Sequence, residues 1–340
     1  MSAHRSEPGA PEPGPASAGP LRRKGRGRRR GKGERTVVPP AEFTSYYGKP
    51  VLNIPAWKPA NIAGYFFLGG LAGAGSVLAA GAQLTGRPAT ARALRISSTV
   101  AIAGSTAALI HDLGRPSRFA NMLRVFKPTS PMSMGSWLLA AYGPTAGAAA
   151  VSDLTGLAPR AGTAATVGAA LLGPAVATYT AVLAADTAVP AWHEGHRELP
   201  YVFAGSATAA AAGMALLAGP AHEAGPARCA ALFGAALESG ATRAMERRLG
   251  MVAETYRTGT AGRLSRAAKA LTAAGALCAL PATRSRTATA FAGTALLAAS
   301  ACTRLAVFHA GRASAQDPKY TVVPQRERLE QRRRDAAALK

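Results

Sequence analysis

Uncharged apolar stretches separated by short polar loops recur through most of this chain. Six are clear: Ile62–Leu84, Leu94–His111, Met134–Val151, Gly162–Ala185, Tyr201–Leu217 and Thr287–Phe308. Two weaker ones, Ala227–Ala241 and Ala267–Thr283, complete the series; the first carries Glu238 and the second runs into Pro281. A bilayer core takes about 20 mostly apolar residues per helix. The pattern therefore predicts an all-α, polytopic membrane protein with about eight transmembrane helices. In the first stretch, Gly69 and Gly73 form a small-x-x-x-small pair, the spacing that lets another helix backbone come close.

The flanks differ from this body, giving three predicted regions. Residues 1–60 are rich in Pro, Gly and Arg, with Arg22-Arg23-Lys24 and Arg28-Arg29-Arg30 and few aliphatic residues. Such a segment buries too little apolar surface to offset chain entropy, so a disordered tail is expected. Residues 61–310 form the eight-helix domain. Residues 311–340 form a second charged tail, expected to be disordered, with Arg332-Arg333-Arg334 near its end. The basic run near the start is followed only by Thr36-Val37-Val38-Pro39-Pro40, which is too short and proline-broken for the apolar core of a cleaved signal.

Averages over the chain mislead. A net charge of +23 and a pI near 11.2 suggest a nucleic-acid binder, and a mean hydropathy of +0.07 suggests a soluble protein. The charge is concentrated in the tails, and alanine lowers the hydropathy of the helices. Beside a membrane, anionic lipid is a simpler partner for the basic tail than nucleic acid. Cys229, Cys278 and Cys302 lie far apart with no C-x-x-C pair, so the chain provides no thiolate set for an iron–sulfur cluster or zinc. A cytochrome b-type anchor would need histidines paired inside facing helices. Of the six histidines only His111 and His309 touch predicted helix ends. A secondary transporter is the other alternative, since Glu238 and Arg304 are charges inside predicted helices.

Polar residues gather at one set of helix ends. Asn61 and Tyr65 open the first helix, His111 and Asp112 close the second, and Tyr179 and Asp186 lie toward the end of the fourth. Side chains of this kind near a membrane are functional candidates because lipid exposure would be costly. After His111 comes the loop Asp112-Leu113-Gly114-Arg115-Pro116-Ser117-Arg118-Phe119, continued by Asn121-Met122-Leu123-Arg124-Val125-Phe126-Lys127-Pro128-Thr129-Ser130-Pro131-Met132-Ser133. Charged, aromatic and punctuated by prolines, it differs from the alanine-rich segments on either side.

This loop closely resembles that of the NrfD/polysulfide-reductase membrane-subunit family. Ile62 through Gly75 resembles the family's first helix. Tyr179-Thr180-Ala181-Val182-Leu183, with Pro190-Ala191-Trp192 and Leu199-Pro200, resembles its fourth helix and the following loop. Met245-Glu246-Arg247-Arg248-Leu249-Gly250 and Glu254-Thr255-Tyr256-Arg257 resemble another family loop, and the likeness covers about Tyr46 to Leu280. It implies a subunit, non-catalytic alone, that binds a quinone (menaquinone or ubiquinone) and exchanges electrons with a four-cluster ferredoxin-like iron–sulfur subunit. That subunit in turn serves a molybdopterin catalytic subunit. A quinone presents two carbonyl oxygens and takes up two protons on reduction, which calls for Tyr, His or Asn donors and a nearby proton carrier. The implied headgroup contacts are Tyr179, Tyr65, Asn61 and His111, with Asp112, Asp186 and Glu238 as candidate proton relays. Arg115, Arg118, Arg124 and Lys127 are the candidate docking residues. Some family members carry histidine in the first helix where this chain has Tyr65. No metal, haem or cluster ligands are expected in this chain.

Charge sets the expected orientation. With eight spans, and helix-end charges assigned to the adjoining loop, 32 Lys and Arg fall on the side of both termini and 7 on the other. By the positive-inside rule both termini and the Asp112–Ser133 loop are cytoplasmic in a multi-pass protein of the cell membrane. Reporter fusions at Lys340 and within Leu154–Arg160 are expected to report opposite sides of the membrane; a C-terminus outside the cell would overturn the assignment.

Overall fold

The computed structural model describes residues 50–55, 57–114, 117–280 and 285–338. Of the predicted N-terminal tail, residues 1–49 lie outside this range, as do Arg115 and Pro116 of the loop. The described residues are helical with no strand among them. Among the described residues nine helices have twenty residues or more: α1 (Pro59–Leu84), α2 (Pro88–Asp112), α3 (Pro131–Thr155), α4 (Pro159–Ala185), α5 (Leu199–Ala218), α6 (Gly225–Arg248), α7 (Gly259–Cys278), α8 (Arg286–Gln316) and α9 (Lys319–Ala338).

Proline sets where helices begin. α1 to α6 each carry a proline in the first two helical positions. There the missing N–H is not needed and the fixed φ already suits the helix. Apolar counting starts these helices two to six residues late because it ignores that signal. Each of the eight predicted segments nonetheless corresponds to one helix, α1 through α8. Five of these, α1, α2, α4, α5 and α8, are long and apolar enough to cross a membrane. α3, counted among the clear segments, falls short because Ser136, Tyr142, Thr145 and Ser152 dilute its alanines.

Alanine and glycine carry little side-chain bulk, so these helices pack nearly backbone to backbone. A Cβ on Gly73 of α1 would fall 2.9 Å from the backbone nitrogen of Ala177 and overlap the carbonyl of Gly173 in α4. Gly205 of α5 meets Gly234 and the backbone of Glu238 in α6 in the same way, and Gly213 of α5 meets Gly293 of α8. The sequence pair Gly69/Gly73 is thus a real contact surface, though each member faces a different helix: Gly69 lies against Ser105 of α2.

Helix ends are tied across the bundle. Asp112 accepts a hydrogen bond from the Lys58 N–H (3.4 Å), which supplies α1 with the N-terminal carboxylate its own sequence lacks. At the opposite face, Glu223 accepts from the N–H groups of Thr90 (2.7 Å) and Ala89 (3.4 Å) at the start of α2. The short helix Pro190–His193 places Trp192, fully buried, with its indole N–H donating to the Val307 carbonyl of α8 (2.7 Å). Trp57 stacks on the same indole at 5.8 Å, so the chain entering α1 and the loop after α4 share one face of the bundle.

The C-terminal tail departs from expectation. The predicted domain ends at residue 310, whereas α8 runs on to Gln316, and α9 then forms in place of a disordered segment. Its base is anchored: Lys319 Nζ meets Glu254 at 3.1 Å, the Tyr320 hydroxyl reaches the same carboxylate at 3.2 Å, and Arg328 pairs with Glu194 at 2.5 Å. Composition alone cannot reveal these tertiary partners, and they hold a helix that would be marginal in isolation.

Replacing Gly73 by valine is expected to force α1 and α4 apart, costing about 1–3 kcal/mol or more. The thermal midpoint of the detergent-purified protein should fall accordingly; an unchanged midpoint would contradict backbone contact at this crossing.

Candidate functional site

The start of α1 and the ends of α2 and α4 bring four of the predicted residues together. The Asn61 amide nitrogen lies 2.9 Å from His111 Nδ1. With the amide donating, the proton of a neutral imidazole sits on Nε2. Tyr65 follows Asn61 by one turn and so shares its helix face. It is buried, at 1% exposure, and its hydroxyl has no hydrogen-bond partner. Its carbonyl accepts from Ser105 Oγ (3.0 Å), which fixes α1 to α2 at this depth. The ring of Tyr179 meets Tyr65 edge-on, with centroids 6.3 Å apart at 77°. Tyr179 in turn rests on Gly135 of α3, where any Cβ would overlap its ring. From exposed His111 through half-buried Asn61 to buried Tyr65, the cluster runs from the surface inward.

The other candidates lie elsewhere. Asp112 caps α1 beside His111. Asp186 is exposed and lines an open groove of about 490 Å³ together with His193, Glu194, Tyr320 and Arg328. Glu238 belongs to a second buried cluster. It accepts from Thr303 (2.6 Å) on α8 and from Thr272 (3.5 Å) on α7. Near it Arg304, fully buried, lies over the Phe203 ring at 3.6 Å and donates to the Phe203 carbonyl at 2.9 Å, while its Nε and Nη1 have no partner. A cavity of about 280 Å³ adjoins Glu238; neither Tyr65 nor Tyr179 lines it.

The two clusters are joined by packed rings: Tyr179 to Tyr65, Tyr65 to Phe66 at 5.8 Å, Phe66 to Phe203 at 5.8 Å, and Phe203 to Arg304. Gly70, five residues beyond Tyr65 on α1, leaves the room Arg304 occupies, for a Cβ there would sit 3.0 Å from Nη2. Sequence reasoning used Arg304 only to weigh a transporter, although a lone arginine in an apolar segment was itself the signal of a buried polar site. Gly135 gave no signal that it seats a tyrosine. Neither did Tyr142, whose hydroxyl bridges Ser76 (2.7 Å) and the Ala72 carbonyl (2.6 Å).

Of the loop residues, Arg118 turns back on its own loop, donating to the Leu113 carbonyl at 2.9 Å. Arg124 and Lys127 are exposed. The segment is braced: Ser133 Oγ donates to the Val125 carbonyl (2.8 Å) and accepts from the Lys127 N–H (3.1 Å), and Trp137 donates to the same carbonyl (3.3 Å) while meeting Phe126 edge-on at 6.0 Å.

Residues 55–221 match the family described as "Polysulphide reductase, NrfD". The matched segment holds Asn61, Tyr65, His111, the loop and Tyr179. Through it the chain belongs to the NrfD family. This makes it a membrane subunit of the kind found in oxidoreductase complexes. None of the curated proteins compared matches it.

In this NrfD-family chain ion pairs also tie the loop before α5 and the residues after α6. The Arg248 guanidinium hydrogen-bonds Glu198 (2.6 Å) and holds that carboxyl below its ordinary range. Lys319 and then Tyr320 do the same to Glu254.

Proposed function

We propose that this chain binds a quinone or quinol headgroup at the Asn61–Tyr65–His111–Tyr179 cluster and links it electronically to an iron–sulfur partner on the Asp112–Ser133 face. The observation that carries the reading is the Tyr65 hydroxyl: a buried donor with no partner, packed against a second phenol and one turn below an amide–imidazole pair. Leaving such a group unmatched costs about 1–3 kcal/mol. A ligand carbonyl would satisfy it. Bound there, a quinone (menaquinone or ubiquinone) supplies two-electron, two-proton chemistry. Tyr65 and Tyr179 hold its oxygens, Asn61 keeps His111 in one tautomer, and exposed His111 exchanges protons with water. Asp112 acts beside His111 as a relay and as the cap that fixes α1.

The partner fits the same face. Arg115, Arg118, Arg124 and Lys127 offer cations on a loop whose backbone is braced through Val125 and Ser133, and the partner is a four-cluster ferredoxin-like subunit serving a molybdopterin catalytic subunit. This face and both termini are cytoplasmic in a multi-pass protein of the cell membrane. Asp186, in its surface groove, and Glu238, in the second cluster, would carry protons only by routes separate from the tyrosines.

Two substitutions separate ligand binding from folding. Tyr179→Phe removes a donor and is expected to weaken quinone binding up to about tenfold, as the loss of one neutral hydrogen bond of about 0.5–1.5 kcal/mol implies. Tyr65→Phe removes an unmatched hydroxyl, so it should leave thermal stability equal or higher while lowering quinone turnover. Both are measured as quinone-dependent activity of the purified complex, with artificial-dye activity as the control; unaltered quinone turnover in both variants would place the site elsewhere.

Docking has its own test. Arg118→Glu combined with Arg124→Glu should release the iron–sulfur subunit while the chain stays inserted. Undiminished co-purification of that subunit would refute a docking role for the loop.

A further inference from the structure

The cavity beside Glu238 opens between α6 and α7, and its lining changes character along its length. Deep inside, the walls are largely apolar, with Val202, Met245, Ala268, Ala306 and Val307, and Glu238 is held by Thr303 and Thr272. At the mouth stand Arg243 of α6 and Lys269 of α7, both exposed. Arg247 lies one turn from Arg243, and Arg266 one turn from Lys269, so cations flank the opening on both helices. Of these four, Lys269 pairs with Glu246 at 2.6 Å; Glu246 is also shared with Arg257 (3.2 Å).

The helices themselves create the opening. α6 packs chiefly on α5 and α7 chiefly on α8, leaving the contact between α6 and α7 slight. After Lys269, only the uncharged Ala270–Cys278 remains of α7. Nine helical residues span about 14 Å, well short of a hydrocarbon core of about 30 Å. Beside such a helix the bilayer must thin, or a headgroup must sit deep. Leu232, Phe233 and Leu277 on these two helices are exposed and give adjoining acyl chains an apolar surface.

We propose that this crevice binds an anionic phospholipid, its phosphate between Arg243 and Lys269 and an acyl chain in the apolar part of the cavity. Exposed cations on two neighbouring helices, at the rim of a largely apolar slot, match an anionic headgroup joined to a hydrocarbon tail. The bound headgroup sits at the level of Lys269, which resolves the short apolar reach of α7. The site stands apart from the tyrosine cluster and does not rest on the quinone reading.

Native mass spectrometry of the detergent-purified full chain, titrated with phosphatidylglycerol and with phosphatidylcholine, tests it. One phosphatidylglycerol per chain should be retained in preference to phosphatidylcholine. Arg243→Gln with Lys269→Gln should weaken that retention about thirtyfold. Ala268→Leu, which fills the slot without touching charge, should also weaken it, and Arg243→Gln alone, on an exposed position, guards against a folding artefact. Equal retention of the two lipids, or undiminished retention in the double variant, overturns the proposal. Displacement of the lipid by millimolar inorganic phosphate would make it a free-anion site instead. A retained quinone mass, lost in Ala268→Leu but kept in the double variant, would assign the slot to a neutral amphiphile and equally refute it.

Discussion

At Gly73 and Gly173 the backbones of α1 and α4 touch, and no side chain fits between them. In lipid, apolar burial adds little between helices, since acyl chains are as apolar as leucine, so association rests on close packing and a few hydrogen bonds. A chain built of alanine and glycine exploits the first route fully. The crossings of α5 with α6 and of α5 with α8 repeat it. The positions of the polar groups follow from these crossings. Gly205 lies under the backbone of Glu238, Gly135 seats Tyr179, and Gly70 gives room to Arg304. A methyl group would press on the Tyr179 ring at Gly135, on the Arg304 guanidinium at Gly70 and on the Glu238 backbone at Gly205.

Much of this was legible in the sequence, and the limits have identifiable causes. Apolar runs marked α1 through α8, five of which are long and apolar enough to cross a membrane. Their starts were misread because proline, and not hydrophobicity, fixes them. The gathering of Asn61, Tyr65, His111 and Tyr179 could be anticipated from helix parity, which puts alternate helix ends on one face. The pairing of Asn61 with His111, and the lack of a partner for Tyr65, depend on how α1 rotates against α2, and local sequence does not encode that. The fate of residues 319–338 was missed for a related reason: Glu194 and Glu254, which anchor α9, lie more than sixty residues away.

Polar chemistry in the bundle is divided between two clusters with different demands. Around Tyr65 the packed groups are phenol rings, with an amide one turn away, and its own hydroxyl is unmatched. Around Glu238 both a carboxylate and a guanidinium are withdrawn from water, an expensive arrangement unless hydroxyls and backbone carbonyls share the load. Thr303, Thr272 and the Phe203 carbonyl do so in part.

The burial of α1 also bears on how the protein is made. Among the described helices α1 leaves the ribosome first, yet its partner Gly173 follows a hundred residues later and Arg304 later still. During that interval the face destined for the protein interior is turned to lipid. The wait is tolerable because this face is glycine, alanine and aromatic rings, with Asn61 at one end where water or headgroups can reach it. Had the unmatched charge of the bundle been placed on α1 rather than on α8, the earliest helix would have had to hold a bare guanidinium in the bilayer until synthesis was nearly complete. With arginine on the last helix of the bundle, the charge enters only when Phe203 and Glu238 are already there to receive it.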